Sequence, residues 1–250
     1  MGVTVNLLRP STRKRIGLAC LAVLLSIGLT GPCSPSAMAV ELDFNISAPT
    51  SGTISYAGTG SGLIGSNIEV DNVVGLSTPA NASVTSLCIS CVLNFTSGTL
   101  SNAGGANANN NGWWSFGSGG SITITGGVQL QGSTDIPVGT TLMSGTFNNA
   151  FVQDLGTQFR VTFGSFSDTK HADLLSYYGL TPGPFSGALT LLFGSANGGV
   201  GSAFTSTSVF SGNVVNSPSP TAPVPVPAAV WLFGSGLAGL IPMIRRQLMS

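Results

Sequence analysis

The sequence predicts an all-β protein, an antiparallel β-sandwich with one short helix, flanked by an N-terminal signal helix and a C-terminal transmembrane helix. Three observations lead there. Between its two ends the chain is rich in Gly, Ser, Thr and Asn, poor in charge and low in helix formers. Short runs of β-branched and aromatic residues recur along it, many alternating with a period of about two, as half-buried strands do. Gly-rich punctuation falls roughly every ten residues, which favours an antiparallel sandwich over a parallel sheet.

The N-terminal element opens with Arg13-Lys14-Arg15, continues through the apolar Ile16 to Leu29 and ends in the small residues Ala37-Met38-Ala39. A basic start, an apolar core and an A-x-A site in that order read as a secretory signal peptide over 1–39. Cleavage after Ala39 would start the mature chain at Val40, and the expected partner is the Sec export machinery. Two other readings are a retained N-terminal membrane helix and a lipoprotein attached through Cys20 or Cys33. Against the second, Cys20 lies inside the apolar core and Pro32 directly precedes Cys33.

The exported domain spans 40–216. Strands are expected first at Thr53–Tyr56, Ile68–Val70, Ser83–Leu87, Leu93–Thr96, Ser121–Thr125 and Val128–Leu130. Later ones fall at Thr141–Phe147, Gln158–Phe163, Gly187–Phe193 and Ser206–Val215. One segment breaks the pattern. From Ser167 to Gly179 the spacing of Leu174, Leu175 and Tyr178 predicts a short helix, with Ser167 or Asp168 as N-cap and Gly179 as C-cap. The Asn-rich stretch from Ser101 to Gly112 has nothing to bury and reads as an insert.

Charge is distributed unevenly. Of eight basic residues six sit in the termini, leaving Arg160 and Lys170 against all eight acids and a net charge of −6 between the ends. Nucleic acid is excluded as a partner, because phosphate binding needs a basic surface.

After signal removal Cys88 and Cys91 remain, and in an oxidising compartment an even pair is most simply a disulfide. A straight strand would put the two sulfurs on opposite faces, so a bridge predicts a tight turn at Ile89-Ser90. Free thiols are the next reading. A redox pair lacks a βαβ context, and zinc would need two more ligands than the chain offers nearby. No metal or cofactor is expected.

Catalytic patterns are sparse. His171 is the only histidine, it sits among polar residues, and no G-x-S-x-G elbow occurs, so a Ser-His-Asp triad has no support. Paired carboxylates for glycoside hydrolysis could come from Glu69, Asp71, Asp135 or Asp154. Glu69 and Asp71 share a strand face, which an exposed acidic face explains equally. Asp168 and Asp173 fit no calcium-loop spacing. Trp113-Trp114 is the most suggestive pair. Aromatic rings are apolar platforms on which sugars stack, but in a strand one of the two would face the core and pack there.

From Ser217 to Pro227, the prolines at 218, 220, 223, 225 and 227 hold the chain extended as a spacer. Over 228–250 lies a transmembrane sorting segment with a basic tail. Its apolar run, Ala228 to Ile244, is about 17 residues long, at the short end of what crosses a bilayer. Arg245 and Arg246 behind it stay cytoplasmic, leaving everything earlier outside.

The Val224-Pro225-Val226-Pro227 signature, the apolar helix with Trp231-Leu-Phe-Gly-Ser-Gly236 and the terminal Arg245-Arg246 together resemble the PEP-CTERM sorting signal. With Val226 between the prolines, the likeness is to its Val-Pro-x-Pro-Ala variant. The resemblance implies processing by an exosortase, a membrane-embedded cysteine transpeptidase of Gram-negative bacteria. The order of Thr-Ser-Gly-Thr-Ile-Ser-Tyr, Leu-Asn-Phe-Thr-Ser-Gly and Gly-Thr-Thr-Leu-Met-Ser-Gly-Thr-Phe is also similar to exported domains found ahead of this signal. The domain likeness implies a shared surface-protein architecture and no defined activity, and with the sorting signal the expectation is a non-enzymatic surface or matrix protein associated with exopolysaccharide or biofilm. The alternatives are a carbohydrate-binding module for exopolysaccharide and, less supported, an extracellular hydrolase.

Overall fold

A computed structural model of the chain describes residues 39–105, 112–195 and 199–219. The fold is all-β. Its strands are β1 (Glu41–Ile46), β2 (Thr53–Tyr56), β3 (Gly62–Leu76), β4 (Thr85–Gly104), β5 (Trp113–Phe116) and β6 (Ser121–Val128). They continue with β7 (Ile136–Phe147), β8 (Ala150–Asp154), β9 (Phe159–Lys170), β10 (Phe185–Ser195) and β11 (Phe204–Pro218). A single helix among the described residues, α1 (Ala172–Tyr177), lies between β9 and β10.

All eleven strands belong to one antiparallel sheet, so the sandwich-like character is built without two separate sheets. The sheet closes on itself. At one end β1 joins β3 to β11, and the β6–β7 pair joins β4 to β9. At the other end β2 takes the place of β1, and the β5–β8 pair takes the place of β6–β7. The long strands β3, β4, β9, β10 and β11 run through both ends; β3, β4, β9 and β11 change a partner midway, while β10 stays between β9 and β11 throughout. Closure satisfies the backbone donors and acceptors that a free edge would leave open.

Inward positions alternate with outward ones and fill the interior with aromatic rings. Phe159, Phe193 and Phe204 stack at 5.5–6.0 Å, and Trp114 meets Phe204 edge-on at 5.6 Å. A second cluster forms where Phe163 stacks on Phe147 at 4.0 Å and meets Phe95 at 4.7 Å. Burying a ring such as Trp114 removes about 150–250 Å² from water, about 4–6 kcal/mol at 25 cal/mol per Å².

Several sequence expectations are corrected. The runs expected at Ser83–Leu87 and Leu93–Thr96 fall on one continuous strand, β4, which starts at Thr85 and has no turn between them. The helix starts five residues later than Ser167 and is capped by His171, whose Nδ1 accepts from the Asp173 backbone N–H at 3.3 Å. Before it, the chain stays extended because Ser167–Lys170 is paired to β7, and its first half also to β10. That ladder outcompetes a local cap. Gly179 follows the helix at φ +70°, a conformation glycine adopts freely. Strands β1, β5 and β8 were not expected, residues 101–104 of the Asn-rich stretch complete β4, and the run at Val128–Leu130 forms no strand of its own, since β6 continues from Ser121 and ends at Val128.

The signal segment before Ala39 and everything after Ser219, including the sorting signal, lie outside the described residues. Among the described residues no helix is long and apolar enough to cross a membrane.

Candidate functional site

Strand β5 separates the two tryptophans. Its four residues alternate outward and inward, so Trp114 and Phe116 are fully buried while Trp113 and Ser115 face out. Trp114 touches Phe159 and Phe204 in the core and is unavailable to a ligand, which removes it from the expected sugar-stacking pair. Trp113 remains, and it has a neighbour that sequence reading missed. Phe151 of β8 is 41% exposed and stacks against Trp113, with centroids 5.9 Å apart and planes 23° off parallel. Register explains the contact: Phe151 lies opposite Ser115, so Trp113 is its diagonal neighbour on the outer face. Alternation within Ala150–Asp154 was the signal that could have revealed it.

Polar groups flank the aromatic pair. Gln153 lies opposite Trp113 on one side and Arg160 on the other, and Arg160 Nη2 donates to Gln153 Oε1 at 2.6 Å. Ser115 and Thr162 border Phe151 in the same register. A flat outward aromatic surface with fixed hydroxyl, amide and guanidinium groups can take up a hydroxyl-rich ligand. It contains no nucleophile–base pair.

The carboxylates considered for hydrolysis have local work. Asp71 Oδ2 accepts from the Ser47 N–H at 2.7 Å, Asp135 Oδ1 from Leu130 N–H at 2.9 Å, and Asp154 Oδ1 from Gly156 N–H at 2.7 Å. Each holds a turn or a strand junction. Glu69 is exposed on β3. Among the described residues no three His, Cys, Asp or Glu side chains gather where they could hold a metal ion.

Cys88 and Cys91 are free thiols in the structure, both buried, so the expected bridge is not formed there. They nevertheless meet. A spacing of three changes face in a regular strand, but β4 carries a bulge against both neighbours here, between Val70 and Asn72 of β3 and opposite β6 at Ile89–Val92. Ser90, at φ +51°, provides the irregularity that returns Cys91 to the inner face. Interaction with Cys91 and burial push the Cys88 thiol up, and interaction with Cys88 holds Cys91 down. Cys91 Sγ also donates to Gly127 O at 3.2 Å.

Asp168 and Lys170 form a buried pair in direct contact on β9. Lys170 Nζ sits 4.7 Å from the centre of the Phe185 ring. Burial pulls the Lys170 ammonium down to about 8, against the attraction of Asp168, and burial raises Asp168.

The signal positions Val224, Pro225, Val226, Pro227, Arg245 and Arg246 lie outside the described residues, as does Ala37. Ala39 is exposed, two residues ahead of β1. Comparison with known protein families, with curated proteins and with solved structures matches nothing to this chain.

Proposed function

We propose that the chain is an exported, non-enzymatic cell-surface or extracellular-matrix protein, sorted through its C-terminal signal and associated with exopolysaccharide. The observation that carries the reading is the order of its ends: an A-x-A segment first, then a proline-rich stretch, an apolar run and an arginine pair last. The extent of the β domain supports it. Strand β1 begins two residues after Ala39, and β11 ends at Pro218, taking in the first two residues of the expected spacer, which pair with β10. The Sec machinery delivers the chain, helix 228–250 holds it transiently, and an exosortase-like transpeptidase meets Pro225-Val226-Pro227 at the outer membrane surface.

Arg245 and Arg246 hold the helix until processing, each costing about 2.5–3.5 kcal/mol to place in hydrocarbon on the insertion scale. Replacing Pro225 and Pro227 by Ala leaves the protein inserted but unprocessed, with a larger mass in the membrane fraction. Intact-mass analysis of the mature C-terminus decides it. A stable cell-associated protein that keeps Arg245-Arg246 in an exosortase-bearing host removes the sorting reading and leaves a plain anchor.

A second reading, a carbohydrate-binding module, is favoured by one observation. Trp113 faces outward beside Phe151, a paired aromatic platform that core packing does not require.

A further inference from the structure

The register of the sheet aligns more than the aromatic pair. Across neighbouring strands, Ser115 lies opposite Phe151, Phe151 opposite Thr162, Thr162 opposite Thr190, Thr190 opposite Asn213 and Asn213 opposite Asn45. The row crosses six strands without a break. Its members alternate with buried neighbours, such as Val161 and Phe163 around Thr162 and Leu189 and Leu191 around Thr190, so the row lies on the outer face. Its far end is ordered by Asn45 Nδ2, which donates to Asn72 Oδ1 at 3.0 Å.

We propose that this row is a binding track for a neutral, hydroxyl-rich polysaccharide laid across the strands, with Phe151 and Trp113 stacking on its sugar rings. The inference rests on the exopolysaccharide association above and names the class of polymer and its path. Neighbouring strands lie roughly 4.8 Å apart, close to the length of a pyranose unit, so successive sugars meet successive side chains. Ser, Thr and Asn side chains both donate and accept hydrogen bonds, as sugar hydroxyls require. Charge selects the neutral class. No residue of the row is ionised, and Arg160, the one exposed Lys or Arg among the described residues, already donates to Gln153. The nearby Asp43 is raised by burial, which favours its neutral form, while Asn213 acts in the opposite direction. A domain with a net charge of −6 repels a polyanion. A protein partner would need an apolar centre, and apart from Phe151 the row is polar.

The test is affinity electrophoresis of the full-length exported protein through gels holding hydroxyethylcellulose, galactomannan or alginate. Wild type, Phe151→Ala and Thr190→Lys are compared, with thermal midpoints as the check on folding. Thr162→Lys is the second probe of the row should Thr190→Lys lower the midpoint. The expected result is retardation by at least one neutral polymer and none by alginate, weakened at least tenfold in both variants. Loss in Phe151→Ala with full retention in the row variants overturns the track and leaves only an aromatic contact. Retardation by alginate alone overturns the neutral class. Failure of every polymer to retard wild type overturns both the track and the exopolysaccharide association. The sorting reading is unaffected by any of these outcomes, because the mature C-terminus is read separately.

Discussion

Asp168 and Lys170 show how far a single residue's environment departs from its sequence appearance. In the sequence they resemble a solvated helix start; in the fold both side chains are fully buried and in contact. Desolvation outweighs their attraction and lowers Lys170 to about 8. Below that pH lysine is protonated in both the folded and the unfolded chain, and the native state carries the full cost. Between about 8 and 10.5 the unfolded chain holds a proton that the native state has released, so stability rises as pH climbs through this window and falls as pH drops. The gain is about 3 kcal/mol by pH 10.5, from about 1.4 kcal/mol per pH unit. Denaturant midpoints at about pH 7 and pH 10 measure it when the change is taken relative to the Asp168→Leu, Lys170→Met double variant, because the raised Cys88 and Tyr178 lower stability over the same window in both proteins. Lys170→Met alone strands a buried carboxylate and should cost about 3–5 kcal/mol at neutral pH, whereas Asp168→Leu with Lys170→Met should be neutral or stabilising and lose the rise with pH. A double variant as unstable as the single one would mean that the pair is needed for packing and not only for charge balance.

At the scale of elements, β4 is the informative case. Leu87-Cys-Ile-Ser-Cys-Val-Leu93 reads as two strand ends around a turn, but the pairing of β4 with β3 and β6 continues on both sides. The chain absorbs the extra residues as a bulge, and that bulge places both thiols in the core. Ser90 occupies the left-handed region, which costs a residue with a Cβ about 1–2 kcal/mol. Ser90→Gly should therefore keep or raise the thermal midpoint, and Ser90→Val should lower it. We propose that the exported protein closes the bridge by exchange with a disulfide oxidant: the Cys88 and Cys91 thiols lose two electrons and two protons, and the oxidant is reduced to its dithiol. Alkylation under denaturing conditions without reductant should then leave both cysteines unlabelled. Labelling of both in freshly exported protein would show that they stay reduced. Helix α1 makes the same point about context. It is pinned by Tyr178, whose hydroxyl lies 3.0 Å from Val73 O and 3.2 Å from Val84 O, acceptors about a hundred positions away in sequence.

For the whole molecule, closure sets the cooperativity. The long strands β3, β4, β9, β10 and β11 belong to both ends of the sheet, so neither end can open without breaking the ladders of the other. Trp114→Ala, in the aromatic core at the β5–β8 end, should cost about 3–5 kcal/mol. It should also lower one common transition, with tryptophan fluorescence and far-ultraviolet circular dichroism giving coincident midpoints. Two separate transitions would mean that the ends fold as independent units.

Local periodicity and composition were enough for the all-β class, the position of most strands and the alternation that puts one tryptophan of the Trp113-Trp114 pair in the core. Such features are written in consecutive residues. The linear order of the termini likewise carries the whole of the sorting argument. Partners distant in the chain settled the rest: the closure into one sheet, the start of α1, the bulge that joins Cys88 to Cys91, and the choice of Trp113 over Trp114. They added Phe151, which only register places beside Trp113, and the outward row from Ser115 to Asn45. Strand pairing fixes which side chains share a face, and no local pattern states which strands will pair.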